Sequence, residues 1–357
     1  MVQENYQAAA AKMGSITYCL RIAGYTVRIV FAGPALVAPL TPALAHLAMP
    51  DVAMPDLTLC LWDGLSTGLQ PPRPWTADDV DLRGEVRPLS NKRILTTIQR
   101  DVNALSVLDQ SRTLGFYWID RACSLRAYER AAPLKVLLHW WLRTRGLSMI
   151  HAGAVGLHDG AVLIVGKTGA GKSTTTLTCL DAGMRYLSDD RCLLALGREP
   201  QAYCIYNTAK LHHAQMARFL NLRSSVTNPQ ESGPQESGPQ ESSEEKALLY
   251  VHAFAQQQLA YQLPIRAILL AKITDTTATS LAPVSRMQVL RDFSTSTLVY
   301  QPDAAQTEVA MMAELVRRVP CYQINLGSKL AGIPSIVAEA IRRAEDALPT
   351  HGAQGKS

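Results

Sequence analysis

The chain has 357 residues, 47% of them hydrophobic and 18% charged, a globular profile of one large or two ordinary domains that excludes a disordered chain. Its 35 basic and 30 acidic residues leave a formal net charge of +5, and no Lys/Arg block is interleaved with aromatics, so nothing points to nucleic acid. The seven cysteines, at positions 19, 60, 123, 179, 192, 204 and 321, form no C-x-x-C pair, which argues against a disulfide framework or zinc site and for a reducing, cytoplasmic compartment.

The opening MVQENYQAAAAKMG lacks the basic-then-apolar layout of a signal peptide. From about residue 16 to 130 the pattern is strand-rich. Ile16–Ile22 and Tyr25–Phe31 are β-branched and aromatic runs around Ala23-Gly24, a hairpin signal. Ile29 to Met49 carries no Asp, Glu, Lys or Arg and is long enough to span a bilayer, but Pro34, Pro39 and Pro42 break it into short strands and turns, so no membrane insertion is expected. Leu57–Asp63 alternates as another strand and leads into a Gly/Pro-rich loop. Trp62, Asp63 and Trp75 read as core and turn residues in preference to a substrate site. Pro133 opens a helix that runs through LKVLLHWWLRTR to Gly146, with His139, Trp140 and Trp141 as aromatics packed between two domains.

Ser148–Leu157 reads as a strand, His158-Asp159-Gly160 as a turn and Ala161–Val165 as a fully buried strand. A glycine loop follows, and a helix opens at Ser173 and runs to about Ala182. Arg185–Ser188 and Arg191–Leu196 are short strands on either side of Asp189-Asp190. In 223–246 the pentad Gln-Glu-Ser-Gly-Pro recurs in acidic, apolar-poor sequence, which reads as a flexible insertion. Ala247–Phe254, Ile265–Ile273 and Tyr322–Leu326 are expected strands. Ser285–Phe293, residues 305–318 and a segment from Pro334 are expected helices, and 347–357 is a flexible tail.

Gly166-Lys167-Thr168-Gly169-Ala170-Gly171-Lys172-Ser173 matches the phosphate-loop pattern in full, between a buried strand and a helix start. Glycines let successive N–H groups turn inward onto a phosphate, and the helix N-terminus adds unpaired donors and the positive end of its dipole. In this pattern Lys172 neutralises the β/γ-phosphates, the Ser173 hydroxyl is a Mg2+ ligand and Thr174 reaches the α-phosphate. The expected ligands are ATP and Mg2+. Two acidic elements compete for the remaining roles. Asp275 follows the apolar run Ile265–Ile273 in the manner of an ordinary second nucleotide motif. Asp189 and Asp190 lie 17 and 18 residues past Lys172, an interval holding one helix and one strand that turns the chain back toward the loop. Adjacent carboxylates suit a division into metal ligand and base.

The block HAGAVGLHDGAVLIVGKTGAGKSTTTLTCLDAGMRYLSDD resembles HPr kinase/phosphorylase and its relatives, whose fold is that of the nucleotide-binding domain of phosphoenolpyruvate carboxykinase. In that family a strand carrying a functional His precedes the loop and an Asp-Asp pair follows its helix. Here 21 residues separate His151 from Lys172, and 18 separate Lys172 from Asp190. The resemblance implies Asp190 as general base, His151 beside the reacting phosphate and Asp189 in metal binding, and it favours this pair over Asp275. The family's Glu-x-Arg-Gly-Leu-Gly motif has no counterpart in YNTAKLHHAQMARF. The chain is closer in kind to divergent bacterial serine kinases, including those that modify peptide natural-product precursors. Those carry a YER-x-x-PL helix, here Tyr128-Glu129-Arg130-Ala131-Ala132-Pro133-Leu134. Lys210 and Lys246 are candidate phosphate or substrate contacts, weighed against solvated surface lysines.

The expected architecture is α/β: a phosphate-loop nucleotide-binding domain of the HPr kinase/carboxykinase type over 131–346, behind a strand-rich α+β domain over 1–130 that selects substrate or assembles. The implied reaction is transfer of the ATP γ-phosphate to a Ser or Thr hydroxyl of a protein or peptide. The alternatives are a small-molecule kinase and a non-catalytic ATP-binding regulator. Oligomeric state is left open, a homo-oligomer included.

Overall fold

The structure is a computed structural model that describes residues 1–212, 246–298 and 306–346. The repeat-bearing insertion expected over 223–246 and the tail expected over 347–357 lie outside the described residues, apart from the backbone of Lys246. Among the described residues the protein is mixed α/β, with three sheets. It divides into two compact units: Met1–Met149 with Cys204–Gln257, and Ile150–Tyr203 with Gln258–Val299 and the helical segment further on. Trp141 of the helix Lys135–Arg143, in the first unit, packs edge-on to Tyr25, with ring centroids 5.7 Å apart.

In the first unit the strands are β1 (Ser15–Ile22), β2 (Tyr25–Ala32), β3 (Ala48–Met49), β4 (Leu57–Asp63), β5 (Ile94–Gln99), β6 (Ala104–Asp109) and β7 (Leu114–Ile119). They form one sheet in the order β3-β1-β2-β4-β7-β6-β5, parallel across β2-β4-β7 and antiparallel elsewhere. The expected hairpin at Ala23-Gly24 forms, both residues having positive φ. A helix not anticipated from the polar N-terminus, Val2–Met13, lays Tyr6 against Trp62 and Phe116. Phe116 and Gly115 face opposite ways along β7. A Cβ on Gly115 would lie 3.6 Å from Leu137, so the helix Lys135–Arg143 covers the other face.

Asp63 is a structural residue. Buried at the end of β4, it caps the short helix Gly64–Thr67 by accepting from the Ser66 N–H at 3.1 Å. Trp62 Nε1 donates to the Leu69 carbonyl at 3.1 Å. The uncharged stretch Ile29–Met49 becomes β2, a one-turn helix, a 3-10 turn and β3. Among the described residues no helix is long and apolar enough to cross a membrane.

Residues 208–212 (β14) and 246–250 (β15) form a separate antiparallel ladder in the same unit, where Lys210 pairs with Leu248. Of the expected strand Ala247–Phe254, the second half is a helical turn, Val251–Phe254. Asn207 ties this ladder to the rest of the unit. Its Nδ2 donates to the carbonyls of Pro42 and Ala43 at 2.8 and 2.9 Å, and its own carbonyl accepts from Val251 N at 2.7 Å. His46 sits in the same buried cluster, with Nδ1 3.2 Å from Asn207 Nδ2 and Nε2 3.1 Å from the Cys204 thiol.

The second unit is built on a nine-stranded sheet whose main path runs β11-β9-β10-β16-β13-β12-β8. The strands are β8 (Leu147–His151), β9 (Gly153–Gly156), β10 (Ala161–Val165), β11 (Arg185–Ser188), β12 (Arg191–Leu196), β13 (Pro200–Cys204), β16 (Gln262–Ile273), β17 (Ser280–Pro283) and β18 (Cys321–Leu326). The single strand expected over Ser148–Leu157 is therefore two, broken at Ala152. The expected helix Ser285–Phe293 runs further, Arg286–Leu298, while Gln306–Arg318 and Ile333–Asp346 match expectation within a residue or two. β10, buried at every residue, is parallel to β16, and β16 is parallel to β18. β9 lies between β10 and β11, antiparallel to both.

Burial, with His252 nearby, lowers the His46 imidazole from 6.5 to about 3. Above pH 6.5 neither folded nor unfolded chain protonates this ring, and its environment costs nothing. Below that value the unfolded chain takes up the proton first, so stability falls between pH 6.5 and 3, by up to about 1.4 kcal/mol per pH unit from this group. Urea unfolding at stepped pH should show a shallower acid-side loss for His46→Gln than for the parent chain; parallel curves would refute the assignment.

Candidate functional site

Strand register builds the site. Gly153 at the start of β9 pairs with Ile164 near the end of β10, and Ala154 pairs with Ser188 at the end of β11. The residues before β9 (His151, Ala152), those after β10 (from Gly166) and those after β11 (Asp189, Asp190) therefore emerge at one end of the sheet. The end of β16 joins them, because a Cβ on Gly166 would lie 3.2 Å from the Ala271 carbonyl.

The loop uses its glycines as its conformation requires. Gly169 and Gly171 have φ of 81° and 95°, in the left-handed region, and a Cβ on Gly171 would meet Leu326 Cδ1 at 2.5 Å. Lys167, Thr168 and Gly169 are exposed at the tip, Ala170 is half-buried, and Gly166 is buried. Gly171 caps the helix Lys172–Asp181, which begins one residue earlier than expected. Threonine is a weak helix former, and here Thr175 and Thr178 bond back to the carbonyls of Gly171 and Thr174 at 2.9 and 2.7 Å, while the Thr176 hydroxyl is left for Asp189. Lys172 is buried, and its ammonium donates to the carbonyls of Gly166 and Lys167 at 2.9 and 3.1 Å, which holds the charge within the loop. Ser173 and Thr174 are half-buried on the first turn.

The two acids are held differently. Asp189 is 2% exposed, and its Oδ1 accepts from the Thr176 hydroxyl at 2.9 Å, which ties it to the loop's helix. The Asp190 side chain is 26% exposed, so of the two only Asp190 is reachable from solvent, and its Oδ1 lies 2.9 Å from His151 Nε2. His151 is buried, with Nδ1 3.1 Å from the Ser296 carbonyl and its backbone N–H donating to Thr297 Oγ1 at 3.2 Å. A carbonyl only accepts, so Nδ1 carries hydrogen. Asp275 lies exposed just beyond β16, at the same end of the sheet. Lys210 belongs to the first unit, and the side chain of Lys246 lies outside the described residues.

Among the described residues no three His, Cys, Asp or Glu side chains converge as a metal cluster. By donor type alone the Ser173 hydroxyl and a carboxylate suit Mg2+, which takes one or two carboxylates plus substrate phosphates and water in place of an all-protein cage; Asp189 is buried against Thr176, so it would have to turn from that hydroxyl to serve.

The motif reading missed Thr176, Gly153, Ser296 and Thr297. No local pattern marks Ser296 and Thr297, which are more than 140 residues from His151 in the chain. Thr176, one helical turn past Ser173, could have been found by asking which helix positions face the returning acids.

No protein-family model matches the chain, and neither does any curated protein. Among solved structures, the Hpr(Ser) kinase/phosphatase from Coxiella burnetii aligns at 11% identity over 56% of this chain and 96% of its own, with a TM-score of 0.28.

A Cβ on Gly153 would sit 2.5 Å from Thr176 Cγ2, inside a fully buried joint between β9 and the loop's helix. Gly153→Ala should therefore cost about 1–3 kcal/mol in urea unfolding, through overpacking. Adding Thr176→Ser, which removes the methyl group and keeps the hydroxyl, should recover part of the loss. A double variant no more stable than Gly153→Ala would show that the clash lies elsewhere.

Proposed function

We propose that the protein is an ATP-dependent phosphotransferase that moves the γ-phosphate to a Ser or Thr hydroxyl of a protein or peptide. The observation that carries this reading is the 2.9 Å contact between His151 Nε2 and Asp190 Oδ1, at the sheet end where the glycine loop emerges. A loop that only bound nucleotide would have no need of a partly exposed carboxylate oriented by a buried imidazole.

In this reading the loop amides and the Lys172 ammonium hold the phosphates, and Thr174 contacts the α-phosphate. Positioning and charge neutralisation dominate phosphoryl transfer, so these groups are expected to carry most of the rate. Mg2+, held by Ser173 and Asp189, would neutralise charge on the β- and γ-oxygens. Asp190 accepts the proton of the attacking hydroxyl on the carboxylate oxygen that does not face His151, while His151 fixes the carboxylate's orientation. The resemblance of residues 151–190 to the HPr kinase family supports Asp190 as base and Asp189 in metal binding, and would set His151 near the reacting phosphate. The first unit, with its broad sheet, is assigned to choosing the acceptor.

Asp190→Asn should lower transfer by about 10²–10⁴-fold, the usual worth of a general base, while calorimetry finds ATP affinity little changed. Lys172→Ala should weaken ATP binding itself. The assay is γ-labelled ATP with purified protein and a panel of Ser/Thr peptides and small alcohols. Label on small alcohols alone would point to a metabolite kinase. ATP binding with no label transferred to any acceptor would leave a nucleotide-binding regulator.

A further inference from the structure

We infer that Thr297, at the end of the helix Arg286–Leu298, is a positioning residue that holds the His151 imidazole against Asp190. The inference rests on the phosphotransferase reading and extends it to a residue outside the motif block.

Bonds at its backbone and at both ring nitrogens fix His151. Its backbone N–H donates to Thr297 Oγ1 at 3.2 Å, its Nδ1 to the Ser296 carbonyl at 3.1 Å, and its Nε2 meets Asp190 Oδ1 at 2.9 Å. The first two come from adjacent residues at one helix end, so backbone and ring are gripped by the same support. Ser296 is among the last four residues of its helix, whose carbonyls find no partner within the helix. Such carbonyls also form the negative end of the helix dipole, which favours a donor N–H facing them. The support is itself anchored. Val289 and Phe293 of this helix are fully buried, the Ser296 hydroxyl bonds back to the Phe293 carbonyl at 2.9 Å, and Thr297 has no exposed surface.

The geometry commits Nδ1 to a carbonyl and thereby directs Nε2 at the carboxylate. Asp189 is fixed separately, by Thr176 on the loop's helix. The two acids are thus set by different elements, and displacing the helix end should move His151 and Asp190 while leaving the nucleotide loop in place. A structural contact alone would change stability without separating catalysis from nucleotide binding. A positioning contact should separate them.

The test uses the full chain with 15N-labelled histidine and the labelled-ATP assay. In the parent protein, side-chain 15N–1H spectra should show His151 with Nδ1 protonated; a ring protonated only at Nε2 overturns the inference without any variant. Thr297→Val keeps the shape and removes the hydroxyl. It should shift the His151 ring resonances and lower kcat by about 10- to 100-fold, the scale of a misplacement near 1 Å, with KM for ATP unchanged. Thr297→Ser should restore both. A valine variant with parental kcat and resonances, or a serine variant as impaired as the valine one, overturns the proposal. Should Thr297→Val fail to fold, the parent spectrum and the serine variant still decide. If the spectra behave as expected and the parent transfers no phosphate to any acceptor, the phosphotransferase reading falls and the grip on His151 stands.

Discussion

The second unit depends on the pairing of one four-residue strand. β9 lies antiparallel between β10 and β11, and this places its first residue beside the last residues of both neighbours. Strand side chains alternate with a period of two, so a slip of one residue would turn every β9 side chain to the opposite face and carry His151 away from the end of β11. The register is held sterically as well as by hydrogen bonds. Gly153 leaves room for Thr176, and a Cβ on Gly156 would meet the Gly160 carbonyl at 2.2 Å. Both ends of the short strand therefore require glycine.

From that register follows a separation of duties in the hydrogen-bond network. The loop's lysine is satisfied by the loop's own carbonyls, one acid is tied to the helix that the loop opens, and the other is tied to a histidine held by a distant helix. Buried polar groups are costly unless paired, and each of these is paired by a different element of the sheet-and-helix frame. Such a site resists small shifts, because moving any one group leaves a buried partner unsatisfied.

The first unit follows another logic. Its sheet is parallel at the centre, with Phe116 and Gly115 sending contacts to helices on opposite faces. Asn207, fully buried, satisfies backbone groups from the 3-10 turn near Pro42 and from the residue that follows β15. His46 remains neutral there because charging it would require water that the cluster does not admit.

By itself the sequence determined the local elements whose physics is local. These include the glycine loop between a buried strand and a helix start, the hairpin at Ala23-Gly24, the Pro-broken stretch after Ile29, and the spacing of His151, Lys172 and Asp190 along the chain. Periodicity and turn chemistry act over a few residues, so a reader of the chain can recover them. Other features needed the tertiary structure: the polar N-terminal helix that exists because Tyr6 meets Trp62 and Phe116, the break of one expected strand at Ala152, and the assignment of the helix Lys135–Arg143 to the first unit. The grip of Ser296 and Thr297 on His151 is the clearest case. Neither residue belongs to a pattern, and only the folding of a helix more than 140 residues downstream onto this sheet supplies the carbonyl and hydroxyl that the ring and its backbone require.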